Sequence, residues 1–209
     1  MSESEFSTQP SAQERRDYWD FFAELIRTAI IVTVLAYVIR LFVIQPFVVE
    51  GSSMYPLFHN NDYLVVEKVS YAFGQPQRGD VIVFKYPRNT AVNYVKRIIG
   101  LPGEKVEIKD GKVTIVNSAH PSGFTLSEPY VNNGDPTLSM PSANGGNTAM
   151  VSDFTVPVDD YFVMGDNRQA SSDSREWGFL PKEDIIGRVI VQAFPLDRFG
   201  IISHARYGE

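Results

Sequence analysis

The 209-residue chain has no cysteine. Disulfides, thiolate nucleophiles and zinc–thiolate sites are therefore excluded. Histidine is scarce: His59, His120 and His204 lie far apart and offer neither an H-E-x-x-H pattern nor any metal-ligand spacing. No G-x-S-x-G elbow occurs, so an α/β-hydrolase triad has no starting point. Gly100 to Lys105 has glycines and a lysine, but lacks both the spacing of a phosphate loop and the Ser or Thr after the lysine. No pattern calls for a cofactor or a metal. There is no Lys/Arg-rich stretch, and a formal charge of −6 argues against nucleic acid as a partner. Long hydrophobic runs are missing too, the best being residues 28–39.

What is present is ordinary for a globular protein, with 44% hydrophobic and 21% charged residues, and the length suits one medium-sized domain. Residues 1–17, rich in Ser, Glu and Gln, read as a solvated, disordered tail. The character changes at Tyr18-Trp19-Asp20-Phe21-Phe22. The run 28–39 is bracketed by Arg27 and Arg40, and as a helix it rises only about 18 Å against a hydrocarbon core of about 30 Å. Snorkelling of the two arginines and the apolar residues Phe21, Phe22, Leu25 and Ile26 close the gap, with Tyr18 and Trp19 at the height of an aromatic belt. Residues 18–41 are thus expected to be a transmembrane anchor in contact with a lipid bilayer. A buried helix fits less well because the run shows no apolar stripe, and a cleavable signal peptide because no small-residue cleavage site follows. Arg15, Arg16 and Arg27 favour an inside N-terminus, a bias blunted by nearby acids and by Arg40.

Beyond the anchor, residues 41–50 are β-branched and aromatic, and Pro46 forbids a continuing helix. Similar short runs recur at 63–66, 80–85, 93–99, 105–108, 112–116, 160–164 and 187–193, separated by turn residues. This cadence predicts a mainly β domain over 42–205, built as an antiparallel sheet. Asp110-Gly111 between two alternating runs predicts a tight hairpin. From 117 to 152 the composition turns to Ser, Asn, Gly, Pro and Thr, which predicts a loop-rich insertion or ribbon and no second core.

Three polar segments stand out. In Val49-Glu50-Gly51-Ser52-Ser53-Met54-Tyr55-Pro56, a Gly-Ser-Ser step after an apolar strand exposes a hydroxyl and lets a substrate backbone approach. In Asn93 to Ile99, alternation puts Lys96 with Tyr94 and Ile98, and Arg97 with Val95 and Ile99, so the adjacent cations point opposite ways. Gly165 to Arg175 is dense in hydrogen-bonding groups, and a capped turn held by Asp173 and Arg175 would account for it structurally.

The ordered set G-S-S-M-Y-P, R-G-D-V-I-V-F, Y-V-K-R-I-I-G-L-P-G-E and G-D-N-R-x-x-S-x-D-S-R resembles the type I signal peptidases from the anchor to about Gln192. That resemblance implies the signal-peptidase fold and Ser–Lys serine-protease chemistry. It implies Ser53 as nucleophile, Lys96 as general base, Ser171 as the hydroxyl orienting the lysine, and Asp173 with Arg175 as a supporting ion pair. The implied partners are preproteins carrying signal peptides with small side chains one and three residues before the cut. The implied location is the outer face of the bacterial cytoplasmic membrane. Gly51 stands where certain members carry a serine that completes the oxyanion hole, and Ala170 replaces an Asn found in others.

The residue chemistry is consistent with this. A serine hydroxyl needs a base, and lysine serves only when neutral, which requires an apolar, desolvated site. Tyr94 and Ile98 beside Lys96, and Met54 beside Ser53 as a substrate-contacting wall, would supply one. The backbone N–H of Ser53 is the expected oxyanion donor. Two other readings compete. A self-cleaving SOS-type repressor would carry a DNA-binding helix pair and an Ala-Gly cleavage site where this chain has its apolar run. A membrane-tethered, inactive adaptor would have no need for Ser53, Lys96 and Ser171 together.

Overall fold

The structure is a computed structural model and describes residues 12–131, 137, 152–205 and 207. It divides into two compact units, one ending at Val43 and the other starting at Ile44.

The first unit is a single helix, α1 (Ala12–Phe42). It begins inside the expected tail because Ala12-Gln13-Glu14-Arg15-Arg16 is a run of strong helix formers. Disorder over 1–17 therefore does not hold for 12–17, and residues 1–11 lie outside the described residues. Its described large apolar side chains, among them Trp19, Leu25, Ile30 and Leu35, are exposed, on every side of the helix. Among the described residues no helix is long and apolar enough to cross a membrane. The side chains of Val38, Arg40 and Leu41, which belong to the anchor expected over 18–41, lie outside the described residues. The helix also claims the start of the strand expected at 41–50, which begins only at Ile44.

The second unit is mainly antiparallel β, as the turn-punctuated runs predict. Its larger sheet comprises β1 (Ile44–Val48), β2 (Tyr63–Glu67), β3 (Val81–Tyr86), β4 (Asn89–Gly100), β9 (Asp160–Met164), β10 (Leu180–Pro181), β11 (Ile185–Phe194) and β12 (Gly200–Ile201). They are ordered β1-β2-β11-β3-β4-β9-β10, with β12 on β11. Pro46 lacks an N–H and sits in β1, an edge strand pairing with β2 alone. A smaller sheet runs β7-β6-β5-β8, where β5 is Lys105–Lys109, β6 Lys112–Val116, β7 Phe124–Thr125 and β8 Ser152–Thr155. The β5–β6 hairpin closes on Lys109 opposite Lys112, with Asp110 and Gly111 both at positive φ (50° and 77°), the geometry a two-residue turn demands.

β3 shows why the unit holds together. Val81 and Val83 pack with Met54, Phe58, Leu64 and Val189 on one face. Ile82 and Phe84 pack with Ile98, Val163 and Trp177 on the other. The smaller sheet covers a third cluster built on Ile99, Val106, Ile115 and Phe162. The start of the expected insertion is no excursion: β7 pairs with β6, Leu126 is buried in this third cluster, and Phe124 and Tyr130 pack on it. Three apolar residues spaced through a polar segment were enough to recruit it into the core. Apart from Thr137 and Ser152, the insertion expected over 117–152 is undescribed from 132 onward.

Candidate active site

The site starts where β1 runs out. Val49 is buried, and Gly51 turns the chain at φ +95°, its N–H donating to Asn60 Oδ1 at 2.8 Å. A serine at this position would meet open space but would need a backbone conformation that side chains disfavour. Met54 (1% exposed) and Phe58 (0%) plug the turn into the core, which leaves Ser52 and half-buried Ser53 facing out. Met54, expected to touch substrate, thus belongs to the core and does not line the cleft; burying its large apolar side chain stabilises the turn by about 2 kcal/mol.

β4 brings the lysine. The register sets Tyr94 opposite Phe84, Lys96 opposite Ile82 and Arg97 opposite Val81. The adjacent cations diverge. Lys96 Nζ donates to Ser53 Oγ at 2.7 Å and to the Val95 carbonyl at 3.0 Å, and lies 5.1 Å from the centre of the Tyr94 ring. Arg97 forms a fork with Asp166 (2.8 and 2.6 Å), donates to the Gly79 carbonyl, and places its guanidinium 4.0 Å over Tyr130. Lys96 is only 3% exposed. Burial pulls its pKa down to about 8 despite the charges of Asp173 and Asp166, which act to raise it. For Arg97, burial is outweighed by the hydrogen bonds and charge of Asp166, and its pKa moves up.

The third piece is the loop 165–173 between β9 and the short helix α2 (Ser174–Trp177). Asp173 caps α2 and accepts from the Gly165 N–H (3.0 Å) and from Arg175 Nε and Nη2 (both 2.8 Å). Asn167 fastens this loop to the serine turn: its N–H donates to the Ser53 carbonyl at 3.0 Å and its side-chain amide to the Ser52 carbonyl at 3.1 Å. Any Cβ on Gly165 would collide with Ser171 Oγ and the Ser53 carbonyl, so the close approach of loop and turn depends on glycine. Ser171 is buried, yet its Oγ has no hydrogen-bond partner, and the second acceptor on Lys96 is the Val95 carbonyl.

The serine turn, β1 and the first half of β4 enclose an open cleft of about 550 Å³ with Ser53 and Lys96 on its wall. Its lining is as polar as it is apolar, Val48, Leu64, Val83 and Val95 supplying aliphatic wall, and Ala170 lines it where an Asn would narrow it. Among the described residues no group of three or more His, Cys, Asp or Glu is placed to hold a metal ion. Asp166, Asn167 and Arg168 stand within a motif that by itself gives them no task, and nothing in the sequence singles out Glu128, Tyr130 or Tyr207. Glu128 pairs with Arg168, and Tyr130 with both Arg97 and Tyr207. These contacts join distant segments, and no local pattern announces them.

A family model described as "Signal peptidase, peptidase S26" matches residues 22–194. The chain is 39% identical over 189 residues to the probable signal peptidase I-1 of Synechocystis sp., covering 87% of each protein. It is 40% identical over 185 residues to the signal peptidase I of Leptolyngbya laminosa, covering 85% of this chain and 82% of that one. It is 36% identical over 185 residues to signal peptidase I P of Bacillus subtilis subsp. natto, covering 87% of this chain and 92% of that one.

Proposed function

The chain belongs to the signal peptidase family, peptidase S26, and from that premise we propose that it is a membrane-anchored serine endopeptidase removing signal peptides from exported preproteins with a Ser53–Lys96 pair. The observation that carries the assignment is the 2.7 Å approach of a buried lysine amine to a serine hydroxyl on the wall of an open cleft. With a pKa of about 8, about a tenth of Lys96 is neutral at pH 7, and that fraction takes the proton as Ser53 Oγ attacks the scissile carbonyl. The protonated amine then gives its proton to the leaving nitrogen. A water deprotonated by the same amine releases the acyl group. The backbone N–H of Ser53 serves the developing oxyanion, and Gly51 adds no side-chain donor there.

Ser171, buried and unpartnered, is the hydroxyl that can take up the amine when Ser53 is acylated and its own oxygen is no longer free. Asp173 and Arg175 keep the loop carrying it in place. The aliphatic part of the cleft wall suits small side chains at the first and third positions before the cut. The extended substrate lies along β1 and the open edge of β4. The exposed apolar side chains in the second half of α1, from Leu25 to Tyr37, support its role as the anchor, with the catalytic unit working on the outer face of the bacterial cytoplasmic membrane.

The test is processing of a preprotein in detergent by the purified chain and by Ser53→Ala, Lys96→Ala and Lys96→Arg. All three variants should be inactive, since a guanidinium cannot be deprotonated in a protein. Substantial cleavage by Lys96→Arg would remove the general-base role. Cleavage by Ser53→Ala would remove the nucleophile.

A further inference from the structure

Behind Lys96 lies a buried polar cluster assembled from parts of the chain that the proposed chemistry does not use. Arg97 stacks on Tyr130, and the Tyr130 hydroxyl reaches Glu128 Oε1 (2.9 Å) and the Tyr207 hydroxyl (2.5 Å). Glu128 also binds Arg168 through both carboxylate oxygens, and Arg168 donates to Thr137 Oγ1 and to the Gly165 carbonyl. The Arg168 carbonyl in turn accepts from Arg175 Nη2 at 2.8 Å. The cluster is charge-balanced, with Arg97, Arg168 and Arg175 against Asp166, Asp173 and Glu128. Glu128 and Tyr130 come from the segment after β7, and Tyr207, 9% exposed, from the C-terminal end.

Two of its carboxylates, Asp166 and Asp173, act directly on Lys96 and favour its charged form. Each is forked to an arginine, and each arginine is backed by this cluster. We propose that Glu128, Tyr130 and Tyr207 are positioning residues for Lys96: they hold Arg97 directly, and Arg175 by way of Arg168, so that the two aspartates beside the lysine stay charge-paired and dry. The insertion and the C-terminus then have a shared task in catalysis, exerted without touching substrate. The proposal rests on Lys96 being the base.

Loosening the cluster acts in one direction by either route. An aspartate less fully paired with its arginine favours charged lysine, and water entering behind the site reduces the desolvation that disfavours it. The other titratable groups around Lys96 are Tyr94 and, stacked on it, Tyr86, with Glu50 at the exposed cleft rim. Tyr207, mainly through burial, is pushed up to about 12 and Tyr130 higher still, so neither ionises in an assay ending at pH 10.

The test is the pH profile of kcat/KM for preprotein cleavage by the full chain in detergent. Tyr130→Leu should displace the rise in rate upward by about one pH unit, lowering activity about tenfold at pH 7 and leaving it almost unchanged at pH 10. Tyr207→Phe, which loses one hydroxyl, should displace it less and in the same direction, and decides the matter should Tyr130→Leu not fold. Loss by one constant factor at every pH, or no displacement in Tyr207→Phe, makes the cluster a structural prop and overturns the proposal. An active Lys96→Arg enzyme would instead overturn the reading of Lys96 as base, so the two failures are distinguishable.

Discussion

The two sides of β4 treat neighbouring cations in opposite ways. On the Arg97 side every guanidinium nitrogen has an acceptor, an aromatic ring covers the plane, and the opposing charge sits in a bidentate fork. On the Lys96 side, a buried amine has one serine hydroxyl and one carbonyl as acceptors, and a further buried hydroxyl nearby has no partner. One side satisfies its polar groups and the other leaves them short. Residues 96 and 97 differ by a single step along a strand, so the difference arises from what the facing elements bring: carboxylates on one side, a serine turn on the other. Charge is fully paired where it holds the structure and poorly paired at the lysine proposed to give up its proton.

The largest effect should come from breaking the uncomfortable side. Ser53→Ala and Lys96→Ala should each reduce preprotein cleavage by at least about a thousandfold, and the double variant should be no worse, because groups acting as a unit are non-additive. Additive losses in steady-state assays would show two independent contributions.

Breaking the satisfied side should cost stability. Arg97→Met strands buried Asp166 without its partner, and loss of about 3–5 kcal/mol is expected in denaturant melts. Replacing both, as Arg97→Met with Asp166→Leu, should recover part of that. A single variant as stable as its parent would mean that the fork is incidental.

The contrast sharpens when the lysine itself is neutralised. Its folded pKa of about 8 lies below the ordinary 10.5, so below pH 8 folding carries a cost of about 3 kcal/mol relative to an unperturbed lysine. Between pH 8 and 10.5 the unfolded chain still binds the proton that the folded chain has released, and parental stability rises with pH through that window. Lys96→Met removes the cost and forfeits two hydrogen bonds worth about 1 kcal/mol each. The variant should therefore be about 1 kcal/mol more stable than its parent at pH 7, with the advantage gone by pH 10.5. A variant less stable at pH 7 whose deficit does not change with pH would indicate a comfortably charged lysine.

The smallest change in stability is expected from Ser171→Ala. An unpartnered buried hydroxyl contributes no hydrogen bond, so melts should move by less than about 0.5 kcal/mol while cleavage falls. A clear loss of stability would reveal a partner for that hydroxyl in the resting enzyme.

Much of this arrangement was legible in the sequence, for identifiable reasons. Period-two alternation and the Asp110-Gly111 turn dictate strands and one hairpin register, and these are local properties. Lys96 and Arg97 had to diverge because strand neighbours do. Met54 was misread because an apolar residue next to a serine can wall a cleft or plug a core, and only the packing partners Phe58, Leu64 and Val83 decide which. The helical start at Ala12 was hidden by polar composition, although Ala, Glu and Arg favour helix. Glu128, Tyr130 and Tyr207 could not be found from the chain alone, since Tyr130 and Tyr207 meet across 77 residues. Ser171 was placed beside the site, but its free hydroxyl follows from three-dimensional crowding around Gly165 that spacing does not encode.

β4 carries one more consequence. β9 pairs only with its last residues, from Arg97 to Gly100, so among the described residues the stretch from Asn89 to Lys96 has β3 on one side and no strand on the other. β1 across the cleft is likewise a sheet edge. An edge that can accept one extended chain can accept another, including a misfolded neighbour or a second copy of the same strand. Asn89, Thr90 and Asn93 put short polar side chains along it, which lowers its appetite for stacking into aggregates without blocking a visiting peptide. Replacing them with valine or isoleucine would trade solubility for stickiness along this edge, so the residues that line the proposed docking edge for an extended substrate also bear on whether the protein clumps.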